Sequence, residues 1–393
     1  MNKKNLLLLA TCQGLMLSST SLIMTTSALV GVSLAPDPTL ATLPLGLLYF
    51  SIMLTMIPAS LLMKRLGRRV GFALGGSAGL IGGSTSALGI YFGSFTLFCA
   101  GSAIFGIANG FGQFYRFAAA EIVPKSYKSR AISWVMAGGL VAAFIGPNTA
   151  RMTREMIPDT VFAASYAAVA GFSVVIIIIQ LFVRIPIPSI EEKRGHRRPL
   201  TLVMMQPFFL VAVICAMIAY GTMNLLMTST PLAMNQRDMA FGATAIVIQW
   251  HIVGMFAPSF FTGGLIHRFG VLKIMFIGAM VLIGCAVVAL SGQLYWNFVV
   301  GLIMLGIGWN FLYIGGTTLL TEVYLPAEKG VIQGINEFMV FSATAFTALS
   351  SGYLHHTLGW ERLNRYTIPV VGFAAGIIVL LGWYSRRQQL PIT

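Results

Sequence analysis

The chain has 393 residues, of which 57% are hydrophobic and 9% charged, and its mean hydropathy is +0.83. Soluble domains carry about 25% charged residues, so this balance excludes a soluble enzyme or binding module and indicates a polytopic membrane protein. Lys and Arg total 25 against 11 Asp and Glu, a net charge of +14, and the placement of these residues decides what the excess means.

The N-terminus, MNKKNLLLLATCQGL, has the basic start and leucine run of a secretory signal. The apolar stretch continues to about Leu34 without an Ala-x-Ala site, which predicts a retained first span. Crossing a hydrocarbon core takes about 20 apolar residues. Runs of that kind fall at 5–34, 44–63, 70–92, 94–120, 130–150 and 161–184, and again at 206–233, 241–265, 272–291, 294–321, 330–354 and 366–385. The polar stretch IPIPSIEEKRGHRRPL, from Ile185 to Leu200, separates the two sets. The expected organisation is a six-helix bundle over 1–184, a cytoplasmic linker over 185–205 and a second six-helix bundle over 206–393. Cys12, Cys99, Cys215 and Cys285 stand singly in apolar stretches, without CxxC spacing, and read as small hydrophobes.

Five basic residues, Arg151, Arg154, Arg237, Arg362 and Arg365, lie on the side of the membrane opposite the N-terminus. Arg116 falls inside a span, and the other nineteen lie on the N-terminal side. Positive charge stays cytoplasmic, so both termini are expected there. The basic excess records topology and calls for no nucleic-acid partner.

The halves read as parallel repeats. Span 2 ends in MKRLGRRVG (Met63–Gly71) and span 8 in IHRFGVLK (Ile266–Lys273), with Arg65 and Arg268 separated by 203 residues. Asn109 and Glu121 in span 4 match Asn310 and Glu322 in span 10 at an offset of 201. Arg116, Glu121 and Glu322 are expected in helix-end ion networks. Glu337, near the start of span 11, is the acid to test for proton coupling. His355 and His356 adjoin the last outer loop and are expected to be solvated.

Spans 7 and 8 carry a patterned pair of motifs. Met223 and Met227 are four residues apart, as are His251 and Met255, so each pair stacks on one helix face. The offset between arms is 28 residues for both pairs, which places Met223 and His251 at similar depth if the hairpin turns near Arg237 and Asp238. Thioether and neutral imidazole suit Cu(I) and add no standing charge in low dielectric. Methionine is also common packing material, and a buried histidine can be purely structural. An ionisable residue inside a span nevertheless reads as functional by default. Met234 and Met239 near the outer mouth are weaker candidates, as are Met24, Met53 and Met56 in the first two spans.

Twelve spans, a central linker and the basic loops after spans 2 and 8 resemble the major facilitator superfamily across essentially the whole chain. Its loop signature is Gly-x-x-x-Asp-Arg-x-Gly-Arg-Arg. Arg65, Gly67, Arg68 and Arg69 match its latter part, with Arg268 and Gly270 in the second copy, while Ser60, Lys64 and His267 depart from it. The stretch GGLVAAFIGPN (Gly138–Asn148) is similar to a motif of proton-coupled antiporters. The resemblance implies an all-α polytopic membrane protein, with twelve transmembrane helices in two bundles, working by alternating access.

Within that superfamily, the MxxxM and HxxxM motifs resemble the CcoA-like copper importer (CalT) family. That resemblance implies that Met223, Met227, His251 and Met255 bind copper, Cu(I) or a complex, as transported substrate. It further implies import across a bacterial inner membrane and delivery to cytoplasmic copper acceptors for cbb-type cytochrome oxidase assembly. Relatives lacking the motifs include riboflavin transporters, so a carrier of an organic solute is the alternative; it calls for aromatic stacking groups, for which Trp250, Tyr220, Phe114, Tyr115 and Trp309 are candidates. No catalytic constellation or GxxxxGK[ST] loop is present, so neither an enzyme nor an ATP-driven pump is expected, and no permanent cofactor.

Overall fold

A computed structural model describes residues 3–37, 40, 43–185 and 198–387. The linker residues Lys193, Arg194 and Arg197 lie outside the described residues. All regular structure described is helical. In chain order the helices are α1 (Lys3–Leu34), α2 (Leu43–Leu66), α3 (Arg68–Tyr91), α4 (Phe95–Gly112), α5 (Tyr115–Glu121), α6 (Lys128–Ala137), α7 (Gly139–Thr153) and α8 (Ala163–Phe182). After the linker come α9 (Leu200–Met204), α10 (Pro207–Asn235), α11 (Phe241–Phe256), α12 (Ser259–Phe269), α13 (Val271–Ser291), α14 (Tyr295–Leu320) and α15 (Lys329–Arg387).

Among the described residues, ten helical segments are long and apolar enough to cross a membrane. The glycine- and serine-rich α3, 24 residues long, and the polar first arm of α15 complete the twelve. Spans 4, 5 and 8 each divide into two helices, at 113–114, Gly138 and 257–258. At the last of these breaks Pro258 removes a donor from the helix ladder. Spans 11 and 12 meet at a sharp break inside the stretch 355–365, where a loop with Arg362 and Arg365 was expected. Only Gly359, at φ 72° and ψ 170°, interrupts the helix, and Trp360 beyond it is buried against Phe298 at 5.3 Å between ring centroids.

The helices gather into two compact units. One holds α1–α5, α7, α8 and the stretch Lys329–Phe338; the other holds α6, α9–α14 and the rest of α15. Relative to the expected boundaries 1–184 and 206–393, each unit also takes in a short stretch from the other half of the chain. The two borrowed stretches, Pro124–Ala137 and Lys329–Phe338, contain Lys128 and Lys329, which are 201 residues apart, the offset of the repeat.

In the first unit α3 is the packing hub, touching α2, α4 and α8. A Cβ on Gly82 would lie 2.5 Å from the backbone nitrogen of Phe105, so bare glycine lets α3 and α4 meet backbone to backbone. In the second unit α14 has the same role, packing against α10, α11 and α13.

Candidate functional site

The four residues of the Met/His motifs fall on α10 and α11. These two helices pack chiefly on α14 and only lightly on each other. Met223 is buried and continues the stripe of Ala212, Ala216 and Ala219, whose Ala212 carbonyl approaches Gly316 of α14. Met227, one turn on, is half-buried. His251 is fully buried, and its Nδ1 lies 2.8 Å from the carbonyl oxygen of Leu302 on α14. Its Nε2 has no hydrogen-bond partner among the described residues, so no methionine sulfur engages it.

The backbone at His251 and Met255 is pressed against α14 at Gly306, where a Cβ would sit 2.6 Å from the His251 carbonyl. Asn310 donates to the Met255 carbonyl and to Ser259 Oγ, both at 2.6 Å, and accepts from Thr262 Oγ1 at 2.7 Å. The structure therefore fastens α11 to α14 through His251 and Asn310, and gives the buried imidazole one open nitrogen. Met234 is buried, and Met24 accepts a contact from the Tyr49 hydroxyl at 3.6 Å. His355, expected in solvent, is buried, with Nε2 3.3 Å from Gln236 Oε1, because the helix continues through its position.

One helix turn below Met223, an aromatic cluster forms. Tyr220 on α10 lies 5.3 Å from Trp309 and 4.8 Å from Tyr313, both on α14, and 5.4 Å from Phe341 on α15. Trp309 stacks on Tyr313 at 5.0 Å and meets Phe256 of α11 edge-on at 5.8 Å. Trp309, Tyr313 and Phe341 are buried, whereas Tyr220 is only partly covered. The indole Nε1 of Trp309 is buried without a partner among the described residues. Aromatic rings at 4.5–7 Å in edge and offset geometries make a surface suited to a further planar ring.

Sequence reasoning singled out Tyr220 and Trp309. The four-residue spacing of Trp309 and Tyr313 was a readable signal that it passed over, while nothing local marked Phe256 or Phe341. The other aromatic candidates lie elsewhere. Phe114 and Tyr115 pack in the first unit, and Trp250 is 49% exposed on α11.

Charged residues build a second constellation. Arg116 and Glu337, both almost fully buried, meet at 2.5 Å, and Asn336 also donates to Glu337 at 2.5 Å. Arg116 thus takes Glu337 as partner and leaves Glu121 to others. Glu121 receives Arg68 at 2.6 Å and Lys329 at 3.3 Å, while Arg68 also reaches Gln333 at 2.6 Å. Of the loop motif, Gly67 and Gly270 turn the chain at φ 92° and 88°. Arg65 and Arg268 are exposed, and Arg69 donates to the Leu181 carbonyl at 3.0 Å. Lys64 stands at the loop signature's acid position, so Glu121 on α5 supplies the carboxylate that Arg68 binds.

The same contact recurs in the second unit with roles exchanged. In the first, Ser60 Oγ on α2 donates to the Gly330 carbonyl, and Gly334 packs on Ser60. In the second, Ser129 Oγ on α6 donates to the Gly263 carbonyl on α12 at 3.1 Å, with Ser133 beside Gly263. By the repeat offsets Ser60 corresponds to Gly263, and Ser129 and Ser133 correspond to Gly330 and Gly334. Glu322 meets Lys128 at 3.4 Å, the counterpart of Glu121 with Lys329. Sequence reading missed one further pair: Glu328 accepts Arg198 Nη2 at 2.5 Å and Nε at 2.9 Å. These bonds hold the Glu328 carboxyl down at about 2, outside the membrane-spanning segments.

Known proteins agree on the architecture. The family model described as Major Facilitator Superfamily matches residues 8–348 and 212–392. The riboflavin transporter RfnT of Brucella anthropi is 38% identical over 380 residues, covering 96% of both chains. An uncharacterized MFS-type transporter of Bacillus subtilis, YddS, is 24% identical over 93% of this chain and 87% of its own. Among solved structures, the proton:xylose symporter XylE superposes with a TM-score of 0.80 at 15% identity, over 99% of this chain and 96% of that one. None of these similarities supports the copper-importing subfamily that the Met/His spacing suggested. With its twelve spans, repeated halves and full-length match, the chain belongs to the major facilitator superfamily and is a membrane transporter.

Proposed function

We propose that this transporter carries a planar heteroaromatic solute, riboflavin or a close analogue, rather than copper. The observation that carries this reading is the cluster around Tyr220: one partly covered ring backed by Trp309, Tyr313 and Phe341. A flavin-sized ring stacked on Tyr220 gains apolar and quadrupole contacts of about 1–3 kcal/mol. The relationship to the Brucella anthropi riboflavin transporter supports the same substrate class. Arg116 and Glu337 serve as the coupling element, because a carboxylate buried with one guanidinium changes the charge of the pair when protonated.

Copper is the second reading, favoured by the open Nε2 of fully buried His251. Uptake separates the two. In cells dependent on external riboflavin, the parent chain restores growth and uptake of labelled riboflavin. Tyr220→Ala removes most of this uptake, while the Met227→Ala/His251→Ala variant, inserted normally, retains it. Copper uptake by the parent that vanishes in the double variant, without riboflavin uptake, supports the metal reading instead.

A further inference from the structure

The mirrored contact in the second unit borders a groove. The groove, about 210 Å³, lies along α6 and α12 and is lined by Tyr127, Arg130, Ser133, Trp134, Phe260 and Gly264, among others. Arg130 has only the ring of Tyr127 near it, at 5.3 Å, and no ion pair or hydrogen bond to its guanidinium among the described residues. Ser133 lines the groove too, with its Oγ buried and without a partner among the described residues. Among the described residues Arg130 is the charged group lining the cleft, and no carboxylate lines it. Next to them, Trp134 and Phe260 are 47% and 44% exposed and meet edge-on at 5.5 Å. An exposed aromatic pair on membrane-spanning helices faces acyl chains. A Cβ at Gly264 would meet nothing within 4 Å, so the cleft has room.

We propose that this groove is a binding site for one anionic phospholipid. Its phosphate lies on Arg130, and an acyl chain runs along Trp134 and Phe260. The basic residues of α6 lie on the side that the sequence assigns to the cytoplasm, where anionic headgroups gather around basic pockets between helices. The lipid touches both α6 and α12, so it braces the contact whose own ion pair, Lys128 with Glu322, is long and exposed.

The test uses purified full-length protein in detergent, with lipid binding read by native mass spectrometry and by the thermal unfolding midpoint. The probes are dioleoyl-phosphatidylglycerol, dioleoyl-phosphatidylcholine and inorganic phosphate. Phosphatidylglycerol is expected to bind and raise the midpoint more than either alternative. Arg130→Gln weakens that binding about fivefold. Gly264→Leu, which fills the groove and keeps the charge, weakens it comparably, whereas Lys273→Gln, removing an exposed charge elsewhere, leaves it unchanged. Equal binding of phosphatidylglycerol by the parent, Arg130→Gln and Gly264→Leu overturns the proposal. So does phosphatidylcholine matching it, which marks a general lipid annulus. A midpoint shift from inorganic phosphate equal to that from phosphatidylglycerol also overturns it, marking a site for free phosphate.

Discussion

The Lys329–Phe338 stretch on α2 and the α6 stretch on α12 are one contact built twice, and they differ in charge. Serine faces glycine in both, with the two sides exchanged. In the first copy Arg68 joins Glu121 and Lys329, and Arg68 is 6% exposed. In the second, Val271 stands at the position corresponding to Arg68, and the remaining pair, Lys128 with Glu322, is 21% and 40% exposed. Backbone complementarity has survived in both copies, while the buried arginine is confined to one and the other keeps a longer, more exposed ion pair. The first contact is therefore the firmer, and the second relies more on packing and on whatever binds beside it.

Graded substitutions sharpen this contrast. The largest effect is expected from Arg116→Ala, which takes the guanidinium away from the buried Glu337 carboxylate and costs about 3–5 kcal/mol. It should appear as a large drop in unfolding midpoint, and Glu337→Gln in the same background should recover part of the loss. Next comes Arg68→Gln, at about 2 kcal/mol, because Glu121 loses a two-point partner but keeps Lys329. Acid should act through Glu328. Its folded value of about 2 lies below the ordinary carboxylate range, so its stabilisation is complete above about pH 4.5 and is lost as pH falls towards 2. Glu328→Gln should flatten the unfolding midpoint across that window. The smallest effect belongs to Lys128→Ala, at most about 1 kcal/mol. A loss from Lys128→Ala as large as that from Arg68→Gln would break the comparison.

Much of the fold could be read from the sequence because a membrane imposes a length and an apolar composition on every span. The repeat was legible at Asn109 and Asn310, and at Arg65 and Arg268, and the same offsets turn out to relate Ser60 to Gly263. Partners were not legible. Glu121 and Lys329 are 208 residues apart, and only packing decides that Arg116 takes Glu337 in place of the acid five residues away. At the candidate site, helical spacing put His251 and Met255 on one face. It could not reveal that His251 is anchored to Leu302 on a third helix. Tyr220 and Trp309 were visible as aromatic candidates, but their convergence with Phe341 depends on how α15 packs, which no local pattern encodes. The last outer loop is shorter than expected because apolar runs mark the hydrocarbon core, and helices extend beyond it.

The most direct test of the substrate reading is the intrinsic fluorescence of riboflavin titrated with purified protein. The account predicts saturable quenching by the parent, as the ring stacks on Tyr220 beside Trp309, and at least about tenfold weaker binding by Tyr220→Ala. Quenching should be unaffected by His251→Ala and by added Cu(I). No quenching by the folded parent, together with stoichiometric Cu(I) binding that depends on His251 and Met227, would contradict the account and return the site to the metal.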